Sequence, residues 1–363
     1  MSKGRVLLGL SGGVDSSVSA VLLKNSGYEV DALFMRNWEE ENGSPYCSIK
    51  EDFLDAVFVA DQLDIEVKEL NFSKQYKEKV FSYFLEQLRE GKTPNPDILC
   101  NREIKFKVFY EYALSLNYDF IATGHYARKR TDNNSFELLK GSDHTKDQSY
   151  FLHSIKNEVL EKSLFPLGEL EKTKVREIAE RNNLITSKKK DSTGICFIGE
   201  RPFPEFLRNF IPENPGIIYD DKGNEIGRHK GLAFYTLGQR QGLGIGGIKD
   251  TQDSPWYVAE KITSDNSIIA VQGNKHPKLF SSVLETKNLF LINNIKDKDF
   301  YGTAKVRYRQ KDQECKITKK GDTLRIEFSL PQRAVTPGQS VVIYKDDVCL
   351  GGGEISEINQ GDL

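Results

Sequence analysis

The string Ser11-Gly12-Gly13-Val14-Asp15-Ser16-Ser17 sets two glycines among hydroxyls and a carboxylate, directly after the apolar run RVLLGL at 5–10. Glycine lets a chain turn tightly and approach an anion with no Cβ in the way. If a helix starts at Val14, its first N–H groups and its dipole favour a phosphate here, and the serines add donors. No lysine follows the glycines, so this is not a GxxxxGK[ST] loop. The plain alternative is a Gly-Gly turn capped by Ser and Asp. A second pattern, Gly242-Leu243-Gly244-Ile245-Gly246-Gly247, matches GxGxxG. A polar run and Pro255 follow it where a crossover helix would be needed, so it reads as a loop.

Two of the five cysteines have suggestive surroundings. Cys100 lies in TPNPDILCN, where two prolines disfavour helix before them. A helix is expected at 102–116, starting just after the thiol. A helix N-terminus, with Arg102 and Lys105 nearby, favours a nucleophilic thiolate. Asp97 stands three residues earlier, placed to act as general acid/base or to hold a substrate N–H. Cys196 lies in DSTGICFIG, after Lys188-Lys189-Lys190, between glycines. For both, the plain alternative is a small buried residue. Cys47, Cys315 and Cys349 read as structural. The count is odd, the spacing wide and CxxC absent, which argues against a structural zinc site, and no metal ligands are assigned.

These residues need a scaffold. Residues 5–10, 28–35, 65–70 and 119–123 read as strands, with helices at 14–25, 51–63 and 74–89 between them. That alternation implies an α/β, doubly wound parallel sheet. Ligands of such sheets gather at the carboxyl ends of strands, where Ser11–Gly13 and Gly124-His125 both fall. From about Asn209, glycines and prolines punctuate short alternating runs, which signal hairpins. We expect a catalytic domain over 1–208, a central β-rich domain over 209–277 and a C-terminal β-barrel domain over 281–359.

The bulk numbers bound what this scaffold can be. A chain of 363 residues, 38% hydrophobic and 29% charged, suits two or three globular domains and excludes disorder. At net charge −2, any nucleic-acid surface must be local. One candidate is 303–320, where seven basic residues against two acidic ones give net +5. There VRYRQ reads as a strand with Arg307 and Arg309 on one face and Tyr308 on the other. The N-terminus lacks a signal-peptide pattern and no apolar run is long enough for a membrane span, so a cytoplasmic protein with no membrane association is expected.

The GLSGGVDSS string resembles the pyrophosphate-binding loop of the PP-loop ATPases (the adenine nucleotide alpha hydrolase-like fold), which release pyrophosphate from ATP and adenylate an oxygen. With two thiols beside it, a sequence of steps suggests itself. Adenylation makes a uracil C2 oxygen a good leaving group, persulfide sulfur attacks C2, and the second thiol resolves the S–S bond. The segments TPNPDILCNREIKF, ATGHYAR, KDQSYFL, KKKDSTGICFIGERPF, LGQRQGLGIGG, RYRQ, TPGQS and CLGGG extend the likeness over the whole chain. Together they resemble the bacterial tRNA-specific 2-thiouridylases. By that resemblance ATP, with Mg2+, would lie on Gly9, Leu10, Ser11, Gly12, Gly13, Val14, Asp15 and Ser16, with Met35 and Gly124 at its adenosine side. Asn95, Pro96 and Asp97 would meet the wobble uridine. Cys100 would be the nucleophile, and Cys196 would carry the persulfide from a sulfur-relay or cysteine-desulfurase protein. His125, Lys146, Asp147, Gln148, Arg307, Tyr308 and Gln339 would touch tRNA, and the tRNAs would be those for Lys, Glu and Gln. A monomer is expected. Two other readings stay open: a PP-loop enzyme adenylating a different substrate, and a non-catalytic RNA-binding protein.

Overall fold

The computed structural model describes residues 2–39, 49–132, 135–191, 201–245 and 254–359. Apolar runs that alternate with amphipathic helices build a five-stranded sheet. Its strands are β1 (Arg5–Gly9), β2 (Glu29–Arg36), β3 (Val67–Asn71), β4 (Phe120–Ala122) and a short Ser163–Leu164 strand, in the order β3-β2-β1-β4 with the short strand last. Every pairing is parallel. The sheet is covered on both faces, as parallel sheets are. Val6, Leu8 and Phe34 pack on one side with Ala20 and Leu23 of α1 (Val14–Asn25) and Val59 and Ala60 of α2 (Ile49–Gln62). Leu7, Leu33 and Ile121 pack on the other with Val80 and Phe84 of the 73–89 helix and Ile104 and Phe109 of the 96–115 helix.

Both of those last helices contain a wide, i→i+5 bonded stretch, Lys77–Phe81 and Asn101–Val108. Such stretches are rare and concentrate at functional sites. The second departs from the expected start after Cys100. The helix begins at Pro96, four residues before the thiol. Proline is accommodated at a helix's first position, where no N–H is needed. Asn95, extended at φ −108° as a residue before proline should be, caps the start by accepting from the N–H groups of Asp97 and Ile98 at 3.0 and 3.4 Å.

Beyond the 203–208 helix the chain forms two further sheets. The first has four strands: Gly216–Tyr219, Glu225–His229, Trp256–Ile262 and Ser267–Gln272. The second closes Phe280–Leu291, Asp299–Lys305, Gln313–Lys320, Thr323–Arg333, Ser340–Lys345 and Val348–Asn359 into a six-stranded barrel, its first and last strands paired. A hairpin from the N-terminal half, Ala127–Asp132 with Ser135–Lys140, adds to that barrel through Leu138 and Leu139 opposite Cys349 and Val348. VRYRQ is not a strand. The chain turns at 306–309, where Gln310 Oε1 accepts from the Val306 N–H at 2.8 Å and ends the pairing.

Candidate active site

The phosphate loop leaves β1 and is shaped by its own hydroxyls. Ser16 Oγ accepts from the Ser11 N–H and donates to the Gly13 carbonyl, both at 3.1 Å, while Ser17 Oγ donates to the same carbonyl at 2.8 Å. Gly12 has φ +74°, and a Cβ there would stand 2.0 Å from the Asp52 carbonyl oxygen, so no other residue fits. Gly13 is the N-cap of α1 and offers it no side chain. The first-turn N–H groups of α1 therefore lack a side-chain cap, which suits an anion. Met35, late in β2, holds its methyl against Gly9. Gly124, two residues past β4, lies so close that a Cβ would meet the Ser16 nitrogen at 2.9 Å. The loop residues Gly9–Ser16, Met35 and Gly124 thus converge at the carboxyl ends of β1, β2 and β4.

A charged cluster that the sequence did not disclose surrounds this loop. Lys172 Nζ lies 2.8 Å from both carboxylate oxygens of Asp15, and Tyr126 donates its hydroxyl to one of them at 2.7 Å. Lys172 also pairs with Asp191, which takes Lys146 and Arg176 as well, each at 2.8 Å. Although desolvation opposes it, this cluster of cations holds the Asp191 carboxyl down, at about 2. Lys189 Nζ donates to the Gly12 carbonyl at 2.9 Å and pairs with Asp52 and Asp55. Asp15 is so engaged, and no three metal-binding side chains cluster among the described residues. A magnesium ion would take most of its ligands from nucleotide phosphates, which is its usual mode.

The thiol helix meets the same edge of the sheet. Phe109 touches the Gly9 position, and Phe106 packs 5.8 Å from the His125 ring. Cys100 is buried, with Ile98 and Leu99 in the same cluster. It sits one turn inside the helix, whose first N–H groups Asn95 has capped. Burial raises the Asp97 carboxyl above the usual range, and Lys105 opposes that shift. Arg102, expected to flank the thiol, turns away to pair with Glu103 at 2.8 Å and lies over the Phe290 ring. Pro94, Asn95, Ile98 and Leu99 line a cleft of about 290 Å³ against the barrel, closed by Tyr83, His153 and Glu354. Cys196 lies outside the described residues, as does Cys47. Cys315 and Cys349 are buried in the barrel, and burial pushes the Cys315 thiol up to about 12.

The remaining expected contacts divide. His125 is buried, its Nδ1 shares a hydrogen bond with Thr123 Oγ1 at 2.8 Å, and burial keeps it neutral. Asp147 is not presented to a partner. Its carboxylate accepts from the N–H groups of Gly141 and Ser149 and pairs with the buried Lys305, sealing the hairpin to the barrel. Gln148 accepts from the Tyr126 N–H at 3.0 Å, and Lys146 is tied to Asp191. Arg307 is at the surface but donates to the Leu237 and Ala334 carbonyls, joining the central sheet to the barrel. Tyr308 packs on Phe151 at 4.3 Å. Gln339 donates to the Thr93 carbonyl and, with Arg307, lines a cleft of about 260 Å³.

Comparison with known proteins agrees with this arrangement. Three family models match consecutive parts of the chain: a tRNA methyl transferase HUP domain over residues 4–200, a tRNA methyl transferase PRC-barrel domain over 204–272 and an aminomethyltransferase beta-barrel domain over 281–355. The tRNA-specific 2-thiouridylase of Pseudomonas savastanoi pv. phaseolicola is 56% identical over 355 residues, covering 97% of this chain and 94% of that protein. That of Stutzerimonas stutzeri is 56% identical over 356 residues, covering 98% and 95%. Among solved structures, NMN synthetase from Francisella tularensis superimposes at TM-score 0.35 with 21% identity, over 56% of this chain and 72% of that one. A 4-thiouridine synthetase bound to RNA and ATP superimposes at 0.36 with 19% identity, over 57% and 49%. Superpositions that weak add nothing to the assignment, which rests on the family matches and the near full-length identity: the chain belongs to the tRNA-specific 2-thiouridylase family.

Proposed function

We propose that this chain is an ATP-dependent sulfurtransferase that replaces the C2 oxygen of the wobble uridine of tRNA with sulfur. One observation carries the reading: the anion-binding loop and the Cys100 helix meet at the same carboxyl edge, through Gly124 against the loop and His125 against Phe106. A group adenylated at the loop is thereby within the domain of the thiol.

The chemistry runs in three steps. Uracil O2 attacks the α-phosphorus of ATP, pyrophosphate leaves with the bonding electrons, and the N3 proton departs to a base. Asp97, half-buried and accepting no hydrogen bond at its carboxylate among the described residues, is the group we assign to receive it. The terminal sulfur of a persulfide on Cys196 then attacks C2, and AMP leaves with the former O2. Finally the Cys100 thiolate attacks the Cys196 sulfur and displaces the 2-thiolate of the base. A Cys100–Cys196 disulfide remains, which a thiol reductant must reopen.

ATP lies on Gly9–Ser16 with Mg2+ carried on its phosphates, and Met35 and Gly124 flank the adenosine. Asn95, Pro96 and Asp97 receive the base. Lys146, Gln148, Arg307, Tyr308 and Gln339 form the surrounding RNA surface, and the buried His125 and Asp147 support that surface from beneath. The units 1–208, 209–277 and 281–359 act as catalytic, central and barrel domains of a cytoplasmic monomer. The sulfur donor is a persulfide-bearing relay or desulfurase protein, and the substrates are tRNAs for Lys, Glu and Gln.

Incubation with ATP, unmodified tRNA and a persulfide donor (a cysteine desulfurase with cysteine), followed by nucleoside mass spectrometry, tests this. We expect 2-thiouridine with AMP released in step, and no 2-thiouridine from Cys100→Ala or Cys196→Ala. Thiolation that survives both substitutions removes the two thiols from the mechanism, and a wild-type chain that makes no 2-thiouridine points instead to a PP-loop enzyme with another substrate.

A further inference from the structure

We propose that the barrel turn 337–339 is a positioning element for the reacting base: it grips the main chain of Thr93 and so sets where Asn95, Pro96 and Asp97 meet the uridine, with Gln339 acting through that grip. The inference rests on the sulfur-transfer reading above and adds a positioning residue to it.

The base-binding residues stand on a short link with little of its own to hold it. The 73–89 helix closes at Gly91, where φ is +75° and the N–H groups of Gly91 and Lys92 return to the Leu88 and Gln87 carbonyls at 3.0 and 2.9 Å. The next helix opens at Pro96. Pro94 and Pro96 have no N–H to donate. That leaves Thr93 and Asn95 as donors, and among the described residues Thr93 is the one bonded to another part of the fold.

The barrel takes both main-chain polar groups of Thr93. The Thr93 N–H donates to the Pro337 carbonyl at 3.0 Å, and the Gln339 side-chain amide donates to the Thr93 carbonyl at 2.6 Å. Gly338, between them, has φ +90°. A Cβ there would stand 2.9 Å from the Thr93 nitrogen and 3.0 Å from Lys92 Cβ, so glycine alone lets the turn come this close.

The turn is itself held from behind, which makes it a fixed point. Gly338 donates to the Ile355 carbonyl at 2.9 Å, and Ile355, on the Val348–Asn359 strand, donates back to the Gln339 carbonyl at 2.8 Å. The buried Thr336 hydroxyl donates to the Ala334 carbonyl at 2.9 Å, and Arg307 donates to that same carbonyl at 2.9 Å. Arg307 and Gln339 line one cleft. An RNA seated on it touches the groups that fix Thr93, so the RNA seat and the base seat are held to each other through this link.

The plain alternative is that these bonds only fasten the barrel to the catalytic half. That junction is already made by Asp147 with Lys305, by Tyr83 with Glu354 and by the 127–140 hairpin. What the grip on Thr93 adds is location. A displacement of about 1 Å at a reacting group costs about 100-fold in rate, while one neutral hydrogen bond among many adds little to folding.

The test is the single-turnover rate of tRNA-dependent pyrophosphate release at saturating ATP, followed against tRNA concentration, with ATP affinity measured separately. Gln339→Met keeps the length of the side chain and loses the donor. Its limiting rate at saturating tRNA is expected to fall by about tenfold or more, with ATP affinity unchanged. Gly338→Ala presses on Thr93 from the turn's backbone and leaves the glutamine in place, and the same signature is expected. Amide exchange on the RNA-free chain reads the grip itself. Because Pro94 and Pro96 have no amide, exchange in the link reports on Thr93 and Asn95, and it should be faster in Gln339→Met while the barrel strands stay protected. If Gly338→Ala does not fold, Gln339→Met decides alone. A Gln339→Met limiting rate within threefold of wild type, whatever its tRNA affinity, overturns the inference and leaves Gln339 an RNA contact. So does a rate lost together with ATP affinity, or unchanged exchange in the link. A wild-type chain that releases no tRNA-dependent pyrophosphate overturns the sulfur-transfer reading, and this inference with it.

Discussion

The two sides of the active site are built on opposite principles. At the phosphate loop the polar groups already have partners. Asp15 is held by Lys172 and Tyr126, the Gly12 carbonyl by Lys189, and the serines by the loop's own backbone. On the thiol helix the half-buried side chains of Asp97 and Lys105 and the buried Asn101 Oδ1 have no hydrogen-bond partner among the described residues. A buried polar atom without a partner costs about 1–3 kcal/mol, so a fold retains it where a ligand completes it. The loop side is preformed for an anion whose shape never varies. The helix side is left incomplete, to be satisfied by a base delivered on a large, mobile nucleic acid.

The contrast makes the loop side vulnerable in the free enzyme. Lys172→Met leaves Asp15 without its cation beside the site of three phosphates. Loss of a partly buried charge-assisted pair next to an anion should weaken ATP by about 100-fold. Isothermal titration with ATP, without tRNA, measures it, and the same loss with tRNA present would confirm that the loop is complete without RNA. Unchanged ATP affinity would break the comparison on this side.

A smaller effect is expected on the helix side, in stability rather than binding. His153 is fully buried beside the cleft, its Nδ1 on the Tyr150 carbonyl, and burial lowers it from 6.5 to about 4. Its folded value lies below its unfolded value, so the unfolded chain binds the extra proton. Stability from this group is full above about pH 6.5 and falls as pH drops towards 4, by about 2 kcal/mol at pH 5. His125 adds to the loss in the same direction. Urea unfolding from neutral to acidic pH, compared with His153→Phe, should show the loss reduced in the variant. An unchanged slope would remove His153 from the account.

What could be read beforehand follows how local its cause is. The α1 bounds, the parallel sheet and the turn at Gly12-Gly13 depend on residues within about a turn of one another, and they stand as expected. Proline's rule as a helix breaker points to a start after Cys100, while Pro96 in fact opens the helix under the Asn95 cap. Alternation in VRYRQ reads as a strand, but it cannot register that Gln310 folds back on Val306. The Asp15–Lys172–Asp191 cluster pairs Asp15 with a lysine 157 positions away. Lys172 stands at the start of a charged helix with nothing local to separate it from solvent-facing neighbours. The hairpin at 127–140 joins a barrel built more than 140 residues later, again without a local cue.

The central claim is that Cys100 closes the reaction on a sulfur carried by Cys196. Peptide mapping after one turnover, with persulfide-loaded enzyme, ATP, tRNA and no reductant, tests it directly. The account predicts a disulfide joining the Cys100 and Cys196 peptides, formed in step with 2-thiouridine. Accumulation of 2-thiouridine while both cysteines remain fully open to alkylation would contradict it.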